Sequence, residues 1–208
     1  MTEILTIGHS TLPIEKFLEL LASAQVTAIA DVRSSPWSRF NPQFNRDELK
    51  QTLEANGITY RFYGRQLGGR PRHPSLFHGG TADYEAMAQT AEFADGLKMV
   101  IDGAKKHRLA LMCSEHDPLD CHRCLLVGRA LAEHGASVGH ILSSGETKSQ
   151  DQIEETLLAM SGRDSDDFFA PRLERLKAAY RDRSLRVAYA ERTATSPDDQ
   201  DFQEASYG

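Results

Sequence analysis

A chain of 208 residues, 40% hydrophobic and 26% charged, is long enough to bury a sizeable core without disulfides or metal. Its formal net charge of −6 excludes a generally basic coat for nucleic acid or for an anionic membrane surface. No run approaches about eighteen consecutive apolar residues, so no membrane partner is expected. The opening MTEILTIGHS carries neither the basic region nor the apolar run of a signal peptide, and a cytoplasmic protein is the expectation.

Residues 3–8 form a short apolar run ending in Gly-His-Ser, a first strand. Ile14, Phe17, Leu18 and Leu21 then share one helical face, with Thr11 as N-cap and Pro13 in the first turn. Residues 26–32, β-branched and apolar, predict a second strand. Asn45 with Glu48 three residues later reads as a capping box, with Phe44 as its staple and Asn56 and Gly57 closing the helix. Residues 58–62 read as a third strand. The stretch 63–82, rich in Gly, Pro, Arg and His, has no period and reads as a long functional loop. A long helix over 83–105 buries Phe93, Leu97, Val100, Ile101 and Ala104, and a fourth strand follows at 108–113. A helix from Cys121 to His134, capped by Asp120 and ended by Gly135, leads to a fifth strand at 137–142. Helices at about 150–160 and 170–182 and an acidic tail complete the chain. Strands alternating with helices give a mostly parallel five-stranded sheet with helices on both faces.

The average charge hides an asymmetry. Between Arg33 and Arg72 lie eight Lys or Arg against three Asp or Glu, a net of +5, so the remainder carries −11. Cysteine is equally uneven, with Cys113, Cys121 and Cys124 the only three in the chain. An odd count in a chain without an export signal reads as a thiol or metal site rather than a disulfide framework.

Ligands of open parallel sheets bind beyond the carboxyl ends of the strands. His9 and Ser10 follow the first strand there. Asp31, Arg33, Ser38 and Arg39 close or follow the second, and Cys113, Glu115, Cys121, His122 and Arg123 close or follow the fourth. Cys113 or Cys121 is the candidate nucleophile, and Cys121, in a first helical turn, would have a lowered pKa. Glu115, His122 and Asp31 are the candidate acid–base or orienting groups. His9, Ser10, Ser38 and the arginines Arg33, Arg39 and Arg123 are candidates to hold an anion, and Gly68 and Gly69 let backbone approach it. Trp37, Phe40 and Tyr63 could stack on a ring. The expected partner is therefore a small phosphorylated or nucleotide-like ligand. Nucleic acid would be engaged locally, not through net charge. The glycine spacing fits neither a Walker nor a dinucleotide fingerprint, so no cofactor is expected.

Bland and rival readings stand beside this one. Cys113 could be a small buried hydrophobe, and Asp31 with Arg33 a structural ion pair. Cys121 and Cys124 form a Cys-x-x-Cys that could be a redox pair. The three cysteines with His116 or His122 could hold zinc, although a second Cys-x-x-Cys is missing and the helix turns Cys124 inward, so no metal ligand is assigned. The same cleft without a reactive thiol would be a nucleotide- or anion-sensing module.

Thr6-Ile-Gly-His-Ser10, Asp31-Val-Arg-Ser-Ser-Pro36, Phe40-Asn-Pro-Gln-Phe-Asn45, Leu67-Gly-Gly69, Met112-Cys-Ser-Glu-His-Asp-Pro118 and Cys121-His-Arg123 resemble the domain of unknown function 488 family. The match runs in order from about residue 4 to Gly145. The resemblance implies a three-layer α/β/α Rossmann-like domain with these motifs at one pocket, and it implies no activity. The family pattern follows Cys-His-Arg with a residue other than cysteine, which weakens any scheme that needs Cys124. The expected organisation is a domain over 1–145, a C-terminal helical extension over 146–192 packed on it, and a polar tail over 193–208.

Overall fold

A computed structural model describes residues 2–165 and 170–191 of the chain; the tail expected over 193–208 lies outside them. In chain order the elements are β1 (Glu3–Gly8), α1 (Ile14–Ser23), β2 (Ala28–Asp31), α2 (Arg46–Ala55), β3 (Thr59–Phe62), α3 (Gly64–Leu67), β4 (Phe77–His78), β5 (Thr81–Ala82), α4 (Tyr84–Ala88) and α5 (Ala91–Ala104). They continue with β6 (Leu109–Cys113), α6 (Arg129–Glu133), β7 (Ser137–Ile141), β8 (Thr147–Ser149), α7 (Gln150–Met160) and α8 (Arg172–Val187). The six-stranded sheet has the order β3-β2-β6-β1-β7-β8, parallel throughout except for β8. The sequence predicts five of these strands. The sixth, β8, is three polar residues at an edge, and it has no apolar alternation to announce it.

The side-chain period of two divides the core. Ile4 of β1, Ala30 of β2 and Leu109, Leu111 and Cys113 of β6 face one side, where α4–α8 pack. Leu5 and Ile7, Ile29, and Ala110 and Met112 face the other, against Phe17, Leu20 and Leu21 of α1 and Leu49 and Leu53 of α2. The result is a three-layer, roughly Rossmann-like α/β architecture. On the first face α7 and α8 contribute Ile153, Leu157, Leu158, Leu176 and Tyr180 to the same cluster as the strands. No described helix is long and apolar enough to cross a membrane.

Several boundaries differ from the sequence reading. Pro13, not Thr11, occupies the N-cap of α1, without a side-chain bond. Asn45 occupies the N-cap of α2 as expected but closes no capping box; its Oδ1 instead accepts the Ser38 N–H at 2.7 Å and ties down the preceding loop. The long helix expected over 83–105 is two, because Thr90 Oγ1 accepts the Phe93 N–H and restarts the chain as α5. The 63–82 stretch holds α3 and the β4–β5 hairpin, whose Gly79 and Gly80 both take the positive φ of a primed two-residue turn. The helix expected from Cys121 begins instead as a wide π-helical turn over Arg123–Gly128 before α6. Asp120 caps nothing there; it pairs with Arg183 of α8.

Candidate active site

Four side chains meet at the carboxyl end of β6. Cys113 ends the strand, Glu115 lies in the loop that follows, and Cys121 and His122 stand just before the π-helical turn. Their ligand atoms all lie within 4.8 Å of one another. The thiols of Cys113 and Cys121 donate to Glu115 Oε2 at 2.9 and 3.0 Å. The Val32 carbonyl can only accept, so His122 Nε2 donates to it at 2.9 Å. That leaves Nδ1 facing the Cys113 sulfur at 3.7 Å and the Cys121 sulfur at 3.9 Å. Both cysteines and His122 are buried. Glu115 is exposed as a residue, but its carboxyl turns inward to the sulfurs.

Three acidic groups around one carboxyl oxygen cannot all ionise. Burial pushes the Cys113 thiol up, and the bond and charge of Cys121 add to it. Burial also opposes ionisation of Cys121, but the Cys113 thiol, the Arg123 charge and His122 together hold it well below the usual thiol range. Burial and the Cys121 charge raise Glu115. For His122 burial works downward, yet the Cys121 bond and charge and the Glu115 charge raise it above the usual imidazole value. Of the two thiols, Cys121 is therefore the readier to ionise.

Glycines make this convergence sterically possible. A Cβ on Gly69 would stand 2.7 Å from Cγ of His122, and one on Gly8 would run into the Glu115 carbonyl. Gly68 lies against Ser34 in the same way.

A cleft of about 160 Å³ opens over the cluster. Cys113, Glu115 and His122 lie at its inner end, with Ser34, Ser35, Gly69 and Arg70 on one side and Tyr84 and Tyr189 among the rest of the lining. Ser34 Oγ accepts the Arg70 N–H at 2.9 Å, which joins the two rim loops. The Arg70 guanidinium lies over the Tyr189 ring, 5.0 Å from its centroid. Tyr189 arrives from beyond α8 because its carbonyl accepts the Ala82 N–H and the Glu191 N–H donates to Gly80, pinning that segment to the hairpin. Tyr84, Tyr189 and Asp120 of this lining escape sequence reasoning. The only available signal is Asp83, the cap that starts α4 and sets Tyr84 in place. A larger groove of about 610 Å³ runs beside α4, α6 and α8 over Leu125, Leu126 and Ala130. It shares Tyr84 with the cleft but holds none of the clustered groups.

Other predicted residues take supporting places. Asp31 receives Arg33 through Nε at 2.9 Å and Nη2 at 2.7 Å, and the Tyr60 hydroxyl at 2.7 Å. Arg33 Nη1 also donates to His9 Nε2 at 3.2 Å, while His9 Nδ1 donates to the Ser10 carbonyl and the ring stacks on Phe44. Burial and the Arg33 charge lower His9 to about 4, so it is neutral. Arg33 lines the cleft; Asp31, His9 and Ser10 do not. Ser38 Oγ accepts the Phe40 and Asn41 N–H groups and shapes the loop. Arg39 lies over the Phe40 ring in that loop, and Trp37 and Phe40 are 68% and 77% exposed.

Arg123 stands behind the cluster, fully buried, and does not line the cleft. It donates through Nη1 to the Glu115 carbonyl at 2.7 Å and through Nη2 to the His116 carbonyl at 2.9 Å, clamping the loop that carries Glu115. Its Nε has no partner among the described residues. His116 turns away to Ser143, and Cys124 belongs to the core, where burial pushes its thiol up to about 12. Neither joins the described cluster, so a pair built on Cys121 and Cys124 is not what this geometry assembles.

Fold and cluster together define a Rossmann-like α/β protein with a buried thiol, carboxyl and imidazole group at the ligand edge of its sheet. Residues 13–130, more than half of the chain, match the family described as Domain of unknown function DUF488, and the chain belongs to that family. The same comparisons returned no matching curated protein and no matching solved structure.

Proposed function

We propose that this protein is an enzyme acting on a phosphate-bearing, nucleotide-like ligand, with the Cys113, Glu115, Cys121 and His122 cluster as its reactive floor. One observation carries the reading: four groups able to move protons or bind an electrophile are gathered under a polar cleft whose rim bears an exposed arginine and two serines. The volume of about 160 Å³ is smaller than the roughly 300 Å³ at which whole drug-sized ligands are enclosed. It suits a phosphoryl or sugar-phosphate part, with a ring left at the rim near Tyr189.

Arg70 and the hydroxyls of Ser34 and Ser35 hold the anion in this reading, beside Arg33, whose charge Asp31 already pairs. Within the basic 33–72 segment Arg46 and Lys50 are paired with Asp47 and Glu54, whereas Arg39, Arg61, Arg65, Arg70 and Arg72 are exposed and enter no described ion pair. Of these, Arg70 alone lines the cleft, and it is the one this reading assigns to the ligand.

Calorimetric titration with pyrophosphate and with adenosine monophosphate tests the reading. Arg70→Ala is expected to weaken binding about tenfold or more. Affinity that ignores Arg70, or an absence of binding to either probe, contradicts it. Turnover lost in Cys113→Ser while binding persists separates an enzyme from a sensing module.

A further inference from the structure

The cluster has the donor set and spacing of a metal centre, and no residue beyond those already in contact is needed to build one. We propose that Cys113, Cys121 and His122 hold a zinc ion whose fourth position opens into the cleft beside Glu115. Sulfur and nitrogen atoms bound to one tetrahedral zinc stand about 3.5 Å apart, given bonds of about 2.3 and 2.0 Å. The thiol sulfurs lie 3.7 and 3.9 Å from His122 Nδ1, within a few tenths of an ångström of that spacing, and the two sulfurs lie within 4.8 Å of each other. Glu115 Oε2 is closer to both sulfurs than two ligands of one zinc would sit, at 2.9 and 3.0 Å. It is also the exposed member of the four. That placement suits a group bonded to what the zinc carries rather than a fourth ligand.

The surroundings fit as well. A zinc-binding imidazole characteristically donates its other ring N–H to a carbonyl or carboxylate. His122 does so to Val32, which leaves Nδ1 as the lone-pair nitrogen aimed at the sulfurs. The Arg123 backbone N–H points to the Cys121 sulfur at 3.4 Å, the outer-shell contact that a metal thiolate accepts. Two thiolates, a neutral imidazole and a divalent ion sum to zero charge, which a buried site tolerates better than several competing acids. Soft sulfur with imidazole in a tetrahedral arrangement favours zinc over magnesium or calcium.

The chemistry such a site supports is hydrolysis. Glu115 takes a proton from water held at the fourth position, and the hydroxide oxygen bonds to an electrophilic carbon or phosphorus of the ligand. The bond to the leaving group breaks with its electron pair, and the proton held by Glu115 passes to that group, so one water is consumed. This role rests on the functional reading above, whereas zinc binding itself does not.

The test uses the purified full chain. Metal analysis should find about one zinc per chain. After chelation, cobalt(II) should bind and produce the sulfur-to-metal charge-transfer and intense visible absorption of a tetrahedral thiolate site, and azide should shift the visible bands. Cys121→Ser and His122→Ala should weaken metal binding by more than the roughly 100-fold that loss of an outer partner costs. Glu115→Gln and Cys124→Ser should retain it, with far-ultraviolet dichroism confirming folded protein throughout. Absence of zinc together with failure of the unmodified chain to take up cobalt would overturn the site. Metal loss in Glu115→Gln, or visible bands indifferent to azide, would make it a closed four-ligand site and overturn the open position. Zinc bound with no affinity for pyrophosphate or adenosine monophosphate would leave this inference standing and sink the cleft reading instead.

Discussion

Two buried polar assemblies lie within the field of Arg123, and they handle protons in opposite ways. In one, the Thr6 hydroxyl donates to His140 Nδ1, His140 Nε2 to Gln150 Oε1, the Gln150 amide to the Tyr180 hydroxyl, and that hydroxyl to Glu154. Donors and acceptors alternate, and each proton has one owner. In the other, Cys113, Cys121 and Glu115 compete around a single carboxyl oxygen beside His122. The first arrangement joins β1, β7, α7 and α8 and contributes to the fold. The second is costly unless a ligand or ion resolves the competition, and it is the one that lies at a cleft.

The contrast can be broken by substitution. Asp31→Ala, in the pair that flanks the cleft, should cost the most stability, about 3–5 kcal/mol in urea denaturation, because it leaves Arg33 buried without its carboxylate. Gln150→Ala should cost about 2–4 kcal/mol by stranding His140 and the Tyr180 hydroxyl, and should leave binding at the cleft unchanged. A loss of pyrophosphate affinity in that variant would show that the two assemblies are not independent.

Acid should strike the ordered relay. Burial holds His140 at about 4 against an ordinary 6.5, and His9 likewise. The unfolded chain then binds more protons than the folded chain between those values. The stability is fully present above pH 6.5 and drains away as pH falls toward 4, by roughly 2–3 kcal/mol for each histidine. Denaturation at pH 7, 5.5 and 4.5 checks this, and His140→Gln should flatten the slope. A profile unchanged by that substitution would place the acid sensitivity elsewhere. The smallest effect is expected for Glu115→Gln, which should change stability by less than about 1 kcal/mol, since it removes one of the competing acids rather than a needed partner. A large loss there would mean that the cluster holds the fold.

The same contrast explains what sequence reasoning could reach. Cys113, Glu115, Cys121 and His122 are legible because a strand end followed by a short loop must place them at one edge, whatever their detailed geometry. Arg123 is next in sequence, but whether a guanidinium faces a ligand or two loop carbonyls depends on which way the chain turns after His122. The π-helical turn over Arg123–Gly128 carries no sequence signature. Tyr189, some 65 residues after the motif, reaches the cleft only through the backbone pairing of Ala190 with Thr81. The central strands are legible from their apolar alternation. The break between α4 and α5 has a signal in Thr90, a favoured cap residue, but the helix formers on both sides of it read as one continuous helix.

Cleft and cluster form one ligand site in the function proposed for this protein. Nitrogen–proton correlation spectra of the labelled chain during titration with pyrophosphate test it most directly. Saturable shifts are expected, concentrated at the amides of Ser34, Ser35, Gly69, Arg70, Ser114 and Glu115. Shifts confined to the groove beside α4 and α8, or none at saturating probe, would contradict it.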